Sequence, residues 1–216
     1  MINKLSLRNF KCFEKLDIDL RNVNIFTGIN GMGKSTVIQA ILLLEQSRLR
    51  EKEQKGLYLN GKYVDLGNAQ DVLFDKAKHE SIEINYTTSD EKQFAHSFSF
   101  EQDADFLPSL NSAENIQPLT EGLFVYMSAY RIKPQERYGV INEKELKMRD
   151  FGNNGEYALQ YLSAYGNLDV KNVHVIEKDD RGKSLINQTK LWLDRVSPGV
   201  SPQIKVIMEN RSSELM

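Results

Sequence analysis

The stretch that most narrows what this chain can become is Gly28-Ile29-Asn30-Gly31-Met32-Gly33-Lys34-Ser35. It satisfies G-x-x-x-x-G-K-[ST] in full. Before it stands Val23 to Thr27, an apolar run that reads as a short buried strand. After it, Lys34 to Gln46 holds neither Gly nor Pro and reads as a helix buried on two sides. A strand, a glycine-rich turn and a helix in that order form a phosphate-binding loop. With Gly near 7% of residues, such a match arises by chance in roughly one chain of this length in a hundred.

The residue types follow from the task. Gly28, Gly31 and Gly33 let the backbone turn its N–H groups inward around a phosphate, and the amides of Asn30 and Met32 belong to the same cradle. The helix that follows points its positive dipole end at the same anion. Lys34 brings a point charge to the β- and γ-oxygens. The Ser35 hydroxyl is a candidate Mg²⁺ ligand, with Thr36 beside it.

Totals exclude several other classes. The chain has 216 residues and a net charge of −2, so bulk charge gives no sign of a nucleic-acid binder. Cys12 is the single cysteine, which rules out an internal disulfide and fits a reducing compartment. The histidines, His79, His96 and His174, are far apart and lack cysteine neighbours at zinc-site spacing. Lys4, Arg8 and Lys11 break up the N-terminal apolar positions, unlike a signal peptide. The longest apolar run, Ala40 to Leu44, is far too short to span a bilayer. A cytoplasmic protein without membrane partners is the expectation.

Elsewhere, Ile2 to Leu20 alternates as strands with a turn at Asn9, and Tyr58 to Val64 (YLNGKYV) signals a hairpin with Asn60-Gly61 at its tip. Ser81–Tyr86 and Phe94–Phe100 read as strands that could join the first two in an antiparallel sub-sheet. Arg48 to Lys55 is a charged run that reads as a solvated helix end, with a DNA-facing edge as the alternative. Residues 101–121 read as a mobile loop, and Gly122 to Ser128 as a buried strand. Helices are expected around Glu143–Arg149 and over Gly155–Tyr165 and Ser184–Val196, with a last strand from Gln203 to Met208.

The N-terminal LSLRNFKCFEKLDIDL, followed by NIFTG and INGMGKST, resembles the start of the SMC/RecF-type ABC ATPases, which include RecF-like, OLD-like and anti-phage defence ATPases. Asn9, Phe10, Lys11, Phe13, Asn30 and Gly31 sit where that pattern puts them. Met32 departs from it, since the family usually has Ser or Ala there, but a backbone N–H is still present. The resemblance implies an α/β fold, a P-loop NTPase core with an antiparallel β sub-sheet, and ATP with Mg²⁺ as ligands. It makes Lys11 a candidate contact near the nucleotide and Gln70 a candidate Mg²⁺-sensing glutamine, with an exposed helix residue as the plainer reading. YMSAYRIKPQERY and FGNNGEYALQYL resemble further stretches of a subset of these ATPases, which singles out Arg131 and Glu156; either could equally be a structural ion-pair member.

The same resemblance implies a signature Ser-Gly-Gly and a Walker B strand ending in two acids. No Ser-Gly-Gly occurs. Val173 to Asp180 (VHVIEKDD) imitates Walker B, but His174 interrupts its apolar run and Lys178 separates its acids, so a charged strand end or turn is the simpler account. The expectation is therefore one lobe over residues 1–216, the N-terminal ATP-binding part of a longer ATPase that lacks signature and Walker B. Family members pair as head-to-tail dimers, so a homodimer of full-length heads, acting with DNA or a nuclease, is implied. Exposed apolar surface should favour self-association of the lobe. A small complete P-loop kinase and a non-hydrolysing regulatory or DNA-binding fragment stay open. A GTPase is disfavoured, because N-K-x-D is missing.

Overall fold

Alternating apolar residues make the first strand, β1 (Ile2–Phe10), whose Leu5, Leu7 and Phe10 are fully buried. The computed structural model describes residues 1–50, 55–111, 115–120, 123–130, 133, 137–178, 182–199, 204–207 and 212–215. They divide into two units, Met1–Phe124 and Val125–Met216.

In the first unit, β1 pairs antiparallel with β2 (Phe13–Asp19) on one side and β4 (Ser81–Thr88) on the other. β4 pairs with β5 (Gln93–Ser99), giving a four-stranded sheet in the order β2-β1-β4-β5. This is the antiparallel sub-sheet that the alternation predicts. Its inner face carries Leu5, Leu7, Ile82, Ile84 and a row of rings. Tyr86 stacks on Phe94 at 5.0 Å and on His96 at 5.7 Å. The β4–β5 turn is tied by Asp90, which accepts from Thr88 Oγ1 and pairs with Lys92 Nζ at 2.7 Å. The Lys92 ammonium first, then the Thr88 hydroxyl, hold the Asp90 carboxyl down at about 2.

Against this sheet lies α1 (Lys34–Arg50), longer by one turn than its apolar run suggests. The extra turn takes in the first part of the charged run; residues 51–54 lie outside the described residues. Glu45, Gln46 and Ser47 on α1 are buried, and each has a task. Glu45 takes a two-pronged bond from Arg48. Ser47 Oγ accepts the Tyr58 N–H of β3 (Gly56–Tyr58). The Gln46 amide donates to the Tyr58 and Val64 carbonyls and accepts from the Tyr63 and Val64 N–H groups.

That amide also corrects the expected hairpin. Gly61 N bonds Val64 O and Asn60 bridges Asp65, so the tip is Lys62-Tyr63 rather than Asn60-Gly61. β3 pairs instead with β6 (Phe106–Pro108), inside the stretch that reads as a loop. Three residues show too little alternation to be recognised, yet Leu107, Ile116 and Leu119 are buried in the core. The short α2 (Ala69–Val72) is capped reciprocally by Asn68 and Asp71.

Two expected strands do not form. Val23 to Thr27 is irregular, with Val23 77% and Ile25 81% exposed. Among the described residues no strand pairs with it. A strand without a hydrogen-bonding neighbour has little to hold it extended. Leu123 to Ser128 is likewise irregular, with Leu123, Val125 and Met127 exposed; Gly122 lies outside the described residues.

The second unit holds β7 (Arg137–Gly139), α3 (Glu143–Lys147), α4 (Ala158–Tyr165), α5 (Leu185–Val196), β8 (Ile204–Ile207) and β9 (Ser212–Leu215). The helices fall where expected. α4 starts later than Gly155, which has a left-handed φ of 83° that no helix accepts. β9, for which the sequence shows no strand pattern, lies between β7 and β8. Buried Gln160 exchanges two hydrogen bonds with the backbone of Ile141, and buried Gln188 binds the backbones of Glu177 and Gly182.

Gln46→Leu keeps the volume but removes four hydrogen bonds to backbone, the one to Tyr58 O buried, so it should destabilise by about 1–3 kcal/mol in chemical denaturation. The Asp90 shift is downward, so its stabilisation is present above 3.8 and fades as pH falls toward about 2. Amide exchange at Thr88 and Lys92 should therefore separate Asp90→Asn from wild type at neutral pH and converge in acid.

Candidate nucleotide site

The phosphate loop enters α1 with the backbone that its glycines permit. Gly28, Gly31 and Gly33 have φ of 143°, 85° and 82°. Nothing stands within 4 Å of where a Cβ would be at Gly28 or Gly31. The first helical bond runs from Val37 N to Gly33 O, 3.2 Å, so the N–H groups of Lys34, Ser35 and Thr36 have no partner within the helix. The first turn of α1 carries no acidic residue, leaving its positive end uncompensated. Lys34 Nζ curls over the loop and donates to the carbonyls of Gly28 (2.8 Å) and Ile29 (2.7 Å). Asn30, Met32 and Ser35 are exposed, whereas Thr36 is buried.

Around the loop, the β1–β2 turn closes on Gly33. A methyl group there would overlap the Phe13 ring edge and stand 2.6 Å from Cys12 Sγ. Cys12 Sγ also lies 3.7 Å from Thr36 Oγ1, a weak thiol hydrogen bond. The turn is held from its other side too. Lys11, at φ 52°, donates its N–H to Val72 O at the end of α2, and Phe74 N bonds Asn9 O. The fold thus brings Lys11 between the phosphate loop's neighbour, Cys12, and α2. Gln70 is on α2, two residues before Val72, and exposed.

The remaining candidates fall elsewhere. The Glu156 carboxylate accepts the Asn154 N–H at 2.8 Å, bracing its own glycine-rich turn. Arg131 lies outside the described residues, as do Asp179 and Asp180. Val173–Val175 is a short 3-10 turn with Val173 and Val175 exposed, and Glu177 pairs with Arg195 of α5. This agrees with reading VHVIEKDD as a turn rather than a Walker B strand. Phe13 belongs to the N-terminal pattern without a place assigned to it there, and Cys12 to no motif; the structure sets both against Gly33. Nothing in a linear pattern ties position 13 to position 33.

Residues 1–197 match the family model described as AAA ATPase domain. The chain belongs to that family. It is also similar to the chromosome partition protein Smc of Methanocaldococcus jannaschii, at 33% identity over 91 residues, which is 39% of this chain and 8% of that protein. The DNA replication and repair protein RecF of Lactobacillus acidophilus is 35% identical over 68 residues, 30% of this chain and 18% of that protein. The ATPase domain therefore spans only a small part of the curated relatives it matches. Its SMC/RecF-like, α/β, P-loop character agrees with what the N-terminal motifs imply. No helix among its described residues is long and apolar enough to cross a membrane.

Gly33→Ala and Gly31→Ala both place a side chain at positive φ, but only the first also meets a wall. Gly33→Ala should destabilise by about 1–3 kcal/mol more than Gly31→Ala in thermal or denaturant melts.

Proposed function

We propose that this ATPase domain binds ATP with Mg²⁺ through Gly28 to Thr36. The observation that carries the reading is the loop geometry: left-handed glycines with open space at Gly28 and Gly31, at the uncompensated N-terminus of a 17-residue helix. These residues fit a polyphosphate. Amides from Gly28 to Ser35 cradle the phosphates, with Asn30, Gly31, Met32 and Gly33 contributing backbone rather than side chain. Lys34 exchanges its loop carbonyls for phosphate oxygens. The Ser35 hydroxyl would help hold Mg²⁺, which would supply charge neutralisation when bound. Lys11, which is hydrogen-bonded to Val72 at the end of α2, and Gln70 on the same helix are the candidate outer contacts, Gln70 toward the metal.

Hydrolysis also needs a carboxylate that orients water. The one sequence stretch resembling a Walker B strand is an exposed turn in its described part, and no Ser-Gly-Gly is present. We therefore assign these 216 residues to nucleotide binding, with turnover dependent on groups supplied from outside them, including a signature helix of a second head in a head-to-tail dimer. The similarity to proteins of chromosome partition and of DNA replication and repair supports coupling of that closure to DNA or to a nuclease partner. A cytoplasmic location fits the single cysteine.

Calorimetry with ATP–Mg²⁺, alongside phosphate release, tests this. Lys34→Ala should weaken binding by about 100-fold or more, and Ser35→Ala should remove most of the Mg²⁺ dependence while leaving weak metal-free binding. Release should be negligible in all samples. Fast Lys34-dependent release would overturn the division of labour and return Glu177, Asp179 and Asp180 to consideration. Absence of any Lys34-dependent binding would sink the nucleotide reading.

A further inference from the structure

We propose that Phe13 is the positioning residue of the phosphate loop; the inference rests on the nucleotide reading above. The loop is supported unevenly. Its first glycines, Gly28 and Gly31, have nothing packed where a side chain would be. The segment leading into it, Val23 to Thr27, is exposed and irregular. Gly33 is different, because the Phe13 ring edge and Cys12 Sγ fill the space beside it. Phe13 is itself anchored, packed against the hydrophobic core and paired across the β1–β2 turn with Phe10, which is fully buried. The turn cannot retreat, because Lys11 N is fixed to Val72 O at 2.8 Å.

The consequence is geometric. Gly33 must keep φ near 82° for the amides before it to face one point, and its carbonyl must accept from Val37 to start α1. A ring edge in contact with its α-carbon limits how far the peptide on either side can rotate. Phe13 thereby sets the C-terminal half of the loop in place before any phosphate arrives, which lowers the ordering penalty of binding. The atom nearest Gly33 is Cζ, the ring's far tip. Length at that tip is therefore what matters, more than apolar bulk.

Two substitutions separate length from bulk. Phe13→Tyr adds an oxygen at Cζ, the ring atom nearest Gly33. Phe13→Met reaches about as far with no atom beyond and fills irregular space well. In the full 216-residue chain, Phe13→Tyr should weaken ATP–Mg²⁺ binding by about tenfold while Phe13→Met stays within about threefold, with melting temperatures of the two variants close to one another. Cys12, the only thiol, supplies a second readout at the same contact. Its alkylation by iodoacetamide should be slowed by ATP–Mg²⁺ in wild type and in Phe13→Met. In Phe13→Tyr the rate without nucleotide should rise and protection should need about tenfold more nucleotide.

Wild-type affinity in Phe13→Tyr would overturn the proposal while leaving the nucleotide reading intact. So would equal losses in Phe13→Tyr and Phe13→Met, which would mark ordinary core packing. If wild type shows no Lys34-dependent binding at all, both readings fall together. If Phe13→Tyr does not fold, Phe13→Leu, which keeps apolar bulk but falls short of Gly33, decides alone: a folded protein with more than about tenfold weaker binding upholds the proposal, and binding within about threefold overturns it.

Discussion

The contact of the β1–β2 turn with Gly33 is the constraint on which the candidate site depends. Glycine is required there twice over, by a left-handed φ and by the Phe13 ring and Cys12 thiol that occupy the place of its side chain. The phosphate loop is held by an antiparallel hairpin rather than by the segment that precedes it, which is exposed and irregular. The N-terminal strands are thus part of the site's support, and their stability is transmitted to the loop through the contacts of Phe13 and Cys12 with Gly33 and of Cys12 with Thr36.

A second line of support starts at the other end of α1. Gln46 binds the backbone from Tyr58 to Val64, Asn60 clamps Gly67 through both atoms of its amide, and Asn68 with Asp71 starts α2. Val72 then holds Lys11, next to Cys12. The chain from helix α1 through α2 returns to the loop from which α1 began. Such a closed circuit of hydrogen bonds ties the start of α1 to its far end, with the Gln46–Tyr58 bond buried. Buried glutamines play the same part in the second unit, where Gln160 and Gln188 each bind loop backbone from a helix.

The long alternating strands and the continuous helix were legible because their signals are local. Leu5, Leu7, Ile82 and Ile84 repeat every second residue, and α1 has no breaker over its length. The failures share one cause. Val23–Thr27 and Leu123–Ser128 have strand-like composition, but a strand exists only when a neighbour takes its hydrogen bonds, and composition cannot say whether one is there. The converse holds for Phe106–Pro108, whose pattern is poor and whose partner, β3, is present. The hairpin tip moved because Gln46, a dozen or more residues earlier, bonds Tyr58, Tyr63 and Val64.

What the sequence determined by itself is the chemistry of the loop. Three glycines, a lysine and a serine at fixed spacing dictate backbone donors, a positive charge and a hydroxyl at one helix end, since these properties belong to the residues and to their immediate order. What only the tertiary structure decided is what holds that loop. Phe13 and Gly33 are twenty positions apart, and Lys11 and Val72 farther still. Contacts of that kind depend on strand pairing and side-chain packing across the whole unit, and no local periodicity encodes them.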